Sequence, residues 1–149
     1  NQLEVVSSVK KCMELPDMQF SNGTIIDSII STRLQQSIKK YCLKYPQLQD
    51  MCEWKVDDIY TFKKYELKDD GYKEWHTEHG PPPTANRVLV WMFYLNNARS
   101  GTDFMNFSTV SAKRGRCVIW PAFWTHYHRS ALNKGLKYII SGWMSFDGG

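Results

Sequence analysis

The sequence predicts a mainly β protein, a jelly-roll body preceded by one amphipathic helix. Aromatic residues make up 14% of the chain, including six Trp and eight Tyr, and this load suits strands and a lined pocket. Apolar residues recur with a helical period before Pro46, whereas short apolar or alternating runs split by turn residues follow Trp54. With 149 residues, we expect one domain over 1–149, with a helical flank at 1–55 and a jelly-roll core at 56–149.

The predicted elements follow in order along the chain. Residues 1–20 resemble an edge strand and a loop, and Ser21–Thr24 supplies capping residues for a helix. The apolar period then predicts a helix over Ile25–Tyr45 that supports the sheet and ends at Pro46. The predicted strands are Ile59–Leu67, Arg87–Leu95, Thr102–Phe107, Arg116–Trp120, His126–Ser130 and Lys137–Phe146. Short strands with turns at regular intervals are typical of an antiparallel sandwich or barrel.

Charge and cysteine usage narrow the class of partner. The net charge is +4, and the basic residues are scattered rather than clustered, so we expect no nucleic-acid partner. No apolar run is long enough to span a membrane, so we expect no membrane partner. The four cysteines lack zinc-type spacing, and a chain of this size does not need a disulfide framework. We therefore expect reduced thiols and a cytoplasmic location, and we find no signal for an oligomeric state.

His76-Thr77-Glu78 is the main indication of chemistry. On a strand, residues two apart point to the same face, so His76 and Glu78 can face the barrel interior together. Two neutral imidazoles and one carboxylate hold a non-haem Fe(II) and leave its other positions open. The third ligand has to come from a distant strand, and the segment that follows Trp120 offers both His126 and His128. These two residues share a face by the same alternation, so the pattern leaves both as candidates.

Several motifs extend this pattern into a family resemblance. From Tyr60 to Phe146 the chain resembles an Fe(II)/2-oxoglutarate-dependent dioxygenase of the prolyl 4-hydroxylase-like group. The similar segments, in the family's order, are Tyr65 through Gly71-Tyr72 to His76-Thr77-Glu78, Phe93-Tyr94-Leu95-Asn96, Gly101-Thr102-Asp103-Phe104, Lys113 to Trp120-Pro121, and Lys137 to Gly142-Trp143. The resemblance implies a double-stranded β-helix (the jelly-roll or cupin-like core), with Fe(II) as the metal, 2-oxoglutarate as the cosubstrate and ascorbate as a further cofactor.

The resemblance also implies a ligand set. The family usually places its second His five residues after the Pro of the Trp120-Pro121 segment, which points to His126. The implied metal ligands are therefore His76, Glu78 and His126, with His128 as the alternative to His126. His128 stands nine residues before Lys137, a spacing that some relatives show. Glu78 departs from the family, where Asp is usual, and this leaves the exact ligand geometry open.

Further roles follow from the same resemblance. Lys137 is expected to pair with the far carboxylate of 2-oxoglutarate, because a buried charge needs a partner. The expected cosubstrate-binding residues are Lys137, Tyr94, Ser141 and Tyr65, and the expected substrate-facing residues are Trp75, Trp124, His128 and Arg129. The implied reaction consumes dioxygen and 2-oxoglutarate, hydroxylates a C–H bond and releases succinate and CO2. A peptide is the expected substrate, in which a prolyl residue is hydroxylated; a small molecule is the other candidate.

Two alternatives remain at the level of sequence. The His126-Tyr127-His128 pair also occurs in cupin-type metalloenzymes that do not use 2-oxoglutarate. Such enzymes usually carry a Glu soon after the His pair, but no acidic residue lies between Arg129 and Phe146. The second alternative is a catalytically inactive jelly-roll binding module, which Glu78 in place of Asp would favour.

Overall fold

A computed structural model describes residues 24–66, 68 and 70–147. It contains one α-helix, α1 (Ile25–Lys44), followed by a 3-10 turn at Pro46–Asp50. Seven strands follow: β1 (Trp54–Tyr65), β2 (Arg87–Tyr94), β3 (Gly101–Phe104), β4 (Val110–Ser111), β5 (Cys117–Pro121), β6 (His128–Ser130) and β7 (Lys137–Phe146). A second 3-10 turn covers Trp124–His126, between β5 and β6. No described helix is long and apolar enough to cross a membrane.

The strands form two antiparallel sheets. The larger sheet has the order β1-β7-β2-β5, and the smaller one has the order β4-β3-β6. This arrangement confirms the mainly β class with a flanking helix, and every predicted strand after Trp54 overlaps an observed one. The two-residue strand β4 was not predicted, because it is too short to show a period. The predicted edge strand in residues 1–20 lies outside the described residues.

Helix α1 covers the outer face of the larger sheet. It begins with a capping box, in which the Thr24 hydroxyl accepts from the Asp27 amide at 3.1 Å and Asp27 Oδ2 accepts from the Thr24 amide at 2.7 Å. Asp27 Oδ1 also accepts from the Tyr60 hydroxyl at 2.5 Å, which joins the start of the helix to β1. The buried stripe of α1 is Ile30, Leu34, Ile38 and Cys42. It packs against one face of β2 and β7, as the 3.6-residue period predicts.

Strand β2 separates two apolar cores. Leu89, Trp91 and Phe93 face the helix, whereas Val90, Met92 and Tyr94 face the smaller sheet. This alternation breaks at the start of the strand, because Val88 packs on the helix side together with Leu89. The pairing of β2 with β7 shows a register shift at the same place, between Arg87 and Leu89. Arg87 is therefore released from the alternation that governs the rest of β2.

One cysteine differs from the sequence-based expectation. Cys42 is disulfide-bonded, whereas Cys52 and Cys117 are free thiols. The expectation of reduced thiols is wrong for Cys42. The expected cytoplasmic location stays a prediction.

Candidate active site

Three side chains from two segments that are distant in the sequence meet between the two sheets. His76 lies in the connection between β1 and β2, where it forms an isolated bridge with His128 at the start of β6. Glu78 is held two residues later by its backbone amide, which donates to the carbonyl of Ala122 at 3.1 Å. The ligand atoms of His76, Glu78 and His128 all lie within 4.8 Å of one another. They form the one cluster of three or more candidate metal ligands among the described residues.

The structure does not bring the favoured candidate for the third ligand, His126, to this cluster. We expected His126 and His128 on one strand, but residues Trp124–His126 form a 3-10 turn and the strand begins only at His128. The turn carries the His126 ring away from the cluster and onto Phe107, with which it stacks at 5.0 Å between ring centroids. His126 Nδ1 lies 2.9 Å from the Thr125 hydroxyl. The alternative, His128, is the residue that joins His76 and Glu78.

The hydrogen bonds of the two imidazoles prepare them as metal ligands. His76 Nδ1 lies 2.9 Å from the carbonyl of Glu74, and His128 Nδ1 lies 2.9 Å from the carbonyl of His126. Since a carbonyl oxygen only accepts, each Nδ1 carries its hydrogen and each neutral Nε2 keeps a lone pair. A backbone carbonyl that fixes the orientation of the ring in this way is typical of metal-binding histidines.

The lone pairs converge on the same point. Glu78 Oε1 lies 3.2 Å from His76 Nε2 and 3.4 Å from His128 Nε2. Three electron-rich atoms at these distances repel one another unless a proton or a metal cation lies among them. Burial lowers the pKa of His76, but its contacts with the Glu78 carboxylate and the Glu74 carbonyl outweigh burial and raise it. The site therefore favours positive charge at Nε2, and the donor set fits a divalent metal with nitrogen and oxygen ligands.

The other oxygen of Glu78 has its own partners. Glu78 Oε2 accepts from Trp143 Nε1 at 3.0 Å and from Arg87 Nη1 at 3.3 Å. Burial disfavours the charged carboxylate. The contacts with His128 and His76 and the hydrogen bond from Trp143 outweigh this effect and hold the pKa of Glu78 well below its ordinary value. The carboxylate is therefore ionised at neutral pH, as a metal ligand must be. Sequence reasoning missed the roles of Arg87 and Trp143.

A cavity beside the cluster contains the expected cosubstrate residues. His76, Glu78 and His128 line it together with Lys137, Tyr94, Ser141 and Tyr65. Strand β7 supplies Lys137 and Ser141 from one face, and Lys137 is paired in register with Tyr65 of β1. The structure thus brings the four expected cosubstrate residues to the same cavity as the candidate metal ligands.

Lys137 is the most unusual charge in this cavity. It is only 2% exposed, and its Nζ donates to Ser100 Oγ at 3.0 Å and to the carbonyl of Gly101 at 3.4 Å. Nζ also lies 4.8 Å from the centre of the Tyr65 ring. Within residues 24–66, 68 and 70–147, it forms no ion pair with a carboxylate. Burial lowers the pKa of Lys137 to about 8, although the charge of Asp103 partly opposes this shift. A buried cation that lacks a counterion is suited to an anionic ligand.

Tyr94 and Thr102 form a polar pair on the cavity wall. The Tyr94 hydroxyl lies 2.6 Å from Thr102 Oγ1 and 3.3 Å from the carbonyl of Val110. Burial raises the pKa of Tyr94 to about 12, so the hydroxyl stays protonated at neutral pH and can donate. Thr102 also lines the cavity, although the sequence drew no attention to it because a Thr on a short strand carries no pattern.

The expected substrate-facing residues divide into two groups. Arg129 lines the cavity, and its guanidinium lies 4.3 Å above the ring of Trp75. Trp124 is 74% exposed on the 3-10 turn and is not among the residues that line the cavity. His128 belongs to the cluster itself. The structure therefore places Arg129 at the cavity, with Trp75 stacked against it, whereas neither Trp75 nor Trp124 lines the cavity.

Comparison with known proteins agrees with this geometry. The family sequence model of the 2OG-Fe(II) oxygenase superfamily matches residues 60–145, which is more than half of the chain. No curated protein sequence matches the chain. Among solved structures, a Pseudomonas putida prolyl-4-hydroxylase has 12% identity and a TM-score of 0.61, covering 98% of this chain and 81% of that chain.

Two further solved structures share the fold. The 2OG complex of a viral collagen prolyl hydroxylase from Paramecium Bursaria Chlorella virus-1 has 13% identity and a TM-score of 0.60, covering 98% of this chain and 91% of that chain. A Trichoplax adhaerens prolyl hydroxylase, in complex with a hypoxia inducible factor peptide fragment, has 11% identity and a TM-score of 0.51. The match covers 96% of this chain and 77% of that chain. The fold is that of the double-stranded β-helix oxygenases. The chain belongs to the 2OG-Fe(II) oxygenase superfamily, and it is a 2-oxoglutarate-dependent dioxygenase.

Proposed function

We propose that His76, Glu78 and His128 bind one Fe(II) and that Lys137 anchors 2-oxoglutarate beside it. The observation that carries the metal site is the paired orientation of the two imidazoles, whose Nδ1 atoms are used by backbone carbonyls while both Nε2 atoms face Glu78 Oε1. Two imidazoles and one carboxylate on one face of the metal leave positions for the cosubstrate and dioxygen.

The cavity explains how 2-oxoglutarate would be oriented. One end of this dicarboxylate binds the metal, so the other carboxylate has to reach the far wall of the cavity. Lys137 supplies the charge there, and Tyr94 and Ser141 supply hydroxyl groups on the same wall. A lysine acts as a point charge, so it needs such neighbouring donors to orient a carboxylate.

The proposed reaction is the hydroxylation of a C–H bond of the substrate. Bound iron supplies the oxidative chemistry, in which one oxygen atom of O2 enters the substrate and the other converts 2-oxoglutarate to succinate and CO2. The chain itself holds the cosubstrate and limits access by water, because the cluster lies between two sheets. We propose a prolyl residue of a peptide as the substrate. The shared fold with three prolyl hydroxylases, one of them in complex with a peptide, supports this proposal.

Metal binding by single variants tests the ligand set. Calorimetric titration of Mn(II) into metal-free protein is expected to show one site, which His76→Ala, Glu78→Ala and His128→Ala each remove. His126→Ala is the matched control, since it removes an imidazole two residues from a proposed ligand but outside the cluster. Retained Mn(II) binding in His128→Ala, with loss in His126→Ala, would show that the ligand assignment is wrong.

Turnover tests the activity and the substrate class. Succinate release is measured with Fe(II), ascorbate and 2-oxoglutarate, in the presence of proline-containing peptides or of free amino acids. We expect peptide-dependent succinate and a mass gain of one oxygen atom on the peptide. Hydroxylation of a free amino acid alone would contradict the peptide substrate. Metal binding without any 2-oxoglutarate turnover would favour the inactive binding module or the cupin-type alternative.

A further inference from the structure

Arg87 and Trp143 surround the carboxylate that departs from the family pattern. Arg87 Nη1 donates to Oε2 of Glu78 at 3.3 Å and to its backbone carbonyl at 3.3 Å. Trp143 Nε1 donates to the same Oε2 at 3.0 Å, and the Arg87 guanidinium lies 3.9 Å above the Trp143 ring. Each of the two side chains therefore contacts Glu78 and also contacts the other.

The two donors reach only one oxygen of Glu78. Oε2 accepts from both of them, whereas Oε1 faces His76 and His128. A carboxylate can bind a metal through one oxygen or through both. One hydrogen bond from the Arg87 guanidinium and one from the Trp143 indole occupy the lone pairs of Oε2, so only Oε1 remains available to a metal.

This restriction matters more for Glu than for Asp. Glu has one additional rotatable bond, so it loses more conformational freedom when it is ordered. It can also swing to place both oxygens on the metal, which would fill a position that the cosubstrate or dioxygen needs. Donors that hold Oε2 remove both problems at once.

The fold creates this arrangement through the irregularity at the start of β2. Val88 and Leu89 both pack on the helix side, so the alternation is interrupted between Arg87 and the rest of the strand. Arg87 therefore reaches the cavity side, where Trp143 stands opposite Val90 on β7. Without the register shift, Arg87 would share the helix-facing side with Leu89 and could not reach Glu78.

We propose that Arg87 and Trp143 are positioning residues that restrict Glu78 to binding the metal through Oε1 alone, and that they adapt this site to Glu in place of Asp. This inference rests on the proposed metal site. Neither residue touches the metal position, so both act through Glu78. An Asp at position 78 would be too short to keep these two partners and also reach the imidazoles.

The first test is the metal affinity of metal-free protein, measured by Mn(II) calorimetry. Trp143→Phe keeps the ring but removes the indole N–H, and Arg87→Met removes the guanidinium while keeping a long side chain. Each is expected to weaken Mn(II) binding about 10- to 100-fold, as is usual for partners of metal ligands. Arg114→Met is the control, because Arg114 is exposed between β4 and β5 and does not line the cavity. Its Mn(II) affinity should stay within about twofold of the wild type, because substitutions at distant sites without shared partners act independently within about 0.5 kcal/mol.

The second test compares Glu78→Asp in two backgrounds. In the wild type, Glu78→Asp should weaken Mn(II) binding. In the Arg87→Met/Trp143→Phe background the same substitution should cause a much smaller loss of Mn(II) affinity, because the partners of Oε2 are already gone. Co(II) absorption gives a separate readout, since two carboxylate oxygens on the metal raise its coordination number and lower its visible absorption. We expect this decrease in Arg87→Met and Trp143→Phe but not in Arg114→Met.

The outcomes separate this inference from the proposed function. Absence of Mn(II) binding in the wild type would contradict the metal site itself. Wild-type binding with unchanged affinity and unchanged Co(II) absorption in both variants would overturn the positioning role and leave the site intact. Thermal melts of the metal-free variants show whether they fold, and Arg87→Lys replaces Arg87→Met if that variant does not. Lysine keeps the charge without the planar two-point geometry, so it should recover only part of the affinity.

Discussion

Replacing Lys137 with Met tests whether the cavity holds an uncompensated charge. Burial lowers the pKa of Lys137 from 10.5 to about 8, which corresponds to about 3 kcal/mol of unfavourable free energy for the charged form. Solvent in the adjoining cavity screens the charge and lowers this free-energy cost to about 2 kcal/mol. Met has a similar length and no charge, so it removes the cost. It also removes the hydrogen bonds to Ser100 and Gly101, each of which stabilises the folded wild type by about 1 kcal/mol.

The pH dependence isolates the charge from the lost hydrogen bonds. Because the pKa of Lys137 is lower in the folded than in the unfolded state, the unfolded chain binds more protons between about pH 8 and pH 10.5. Wild-type stability from this group therefore rises across that window, whereas Lys137→Met has no such contribution. The stability of the variant relative to the wild type should fall by about 2 kcal/mol between about pH 7 and pH 10.5.

Urea denaturation of metal-free protein at both pH values measures this change. A relative stability that stays the same at the two pH values would refute the reasoning, because it would mean that Lys137 carries no burial cost. The same variant has a second readout. With Mn(II) already present at saturation, added 2-oxoglutarate should further raise the melting temperature of the wild type but not that of Lys137→Met, since the far carboxylate has lost its cation.

Three further predictions concern stability. Thr24→Ala removes the capping box of α1 and should lower the free energy of unfolding by about 1 kcal/mol in urea denaturation; an unchanged midpoint would contradict the role of the cap. Gly142→Ala should lower it by about 2 kcal/mol, because a Cβ at this position would lie 2.6 Å from the Trp91 ring; a variant as stable as the wild type would mean that the ring can shift freely. Tyr60→Phe removes a hydrogen bond that lowers the pKa of Asp27 below 3.8, so the stability that this bond supplies is complete at neutral pH and is lost as the pH falls through the folded pKa. The deficit of Tyr60→Phe should therefore shrink in acid, and a deficit that does not change with pH would count against it.

The sequence was most predictive where a local period determines the structure. The helix was predicted over Ile25–Tyr45 and observed over Ile25–Lys44, because its apolar stripe and the Thr24 cap are both local signals. Strands β2 and β7 were predicted to within a residue, because they are long and lie between clear turns. The motif positions on these strands predicted that Tyr94, Lys137 and Ser141 bind the cosubstrate, and the structure places all three at one cavity.

The parts that could not be predicted depend on contacts between distant residues. The choice between His126 and His128 turns on three residues in a 3-10 turn, and no period distinguishes such a turn from the first residues of a strand. The contact between Glu78 and Trp143 spans 65 positions, and that of Arg87 requires a register shift in β2. Neither contact can be read from the local sequence pattern. The disulfide at Cys42 likewise depends on a pairing that spacing alone does not reveal.

Strand β7 fixes the relative positions of three residues that line the cavity. Lys137, Ser141 and Trp143 are separated by even numbers of residues, so all three line the cavity from one face. The strand is held on both sides, by β1 and β2, and so cannot slide in one sheet without breaking two ladders. One inserted residue before Ser141 would place Lys137 and Trp143, the hydrogen-bond partner of Glu78, on opposite faces of the strand. For a protein engineer, a change of length within β7 is therefore expected to disturb the cavity more than a conservative substitution at one of its positions.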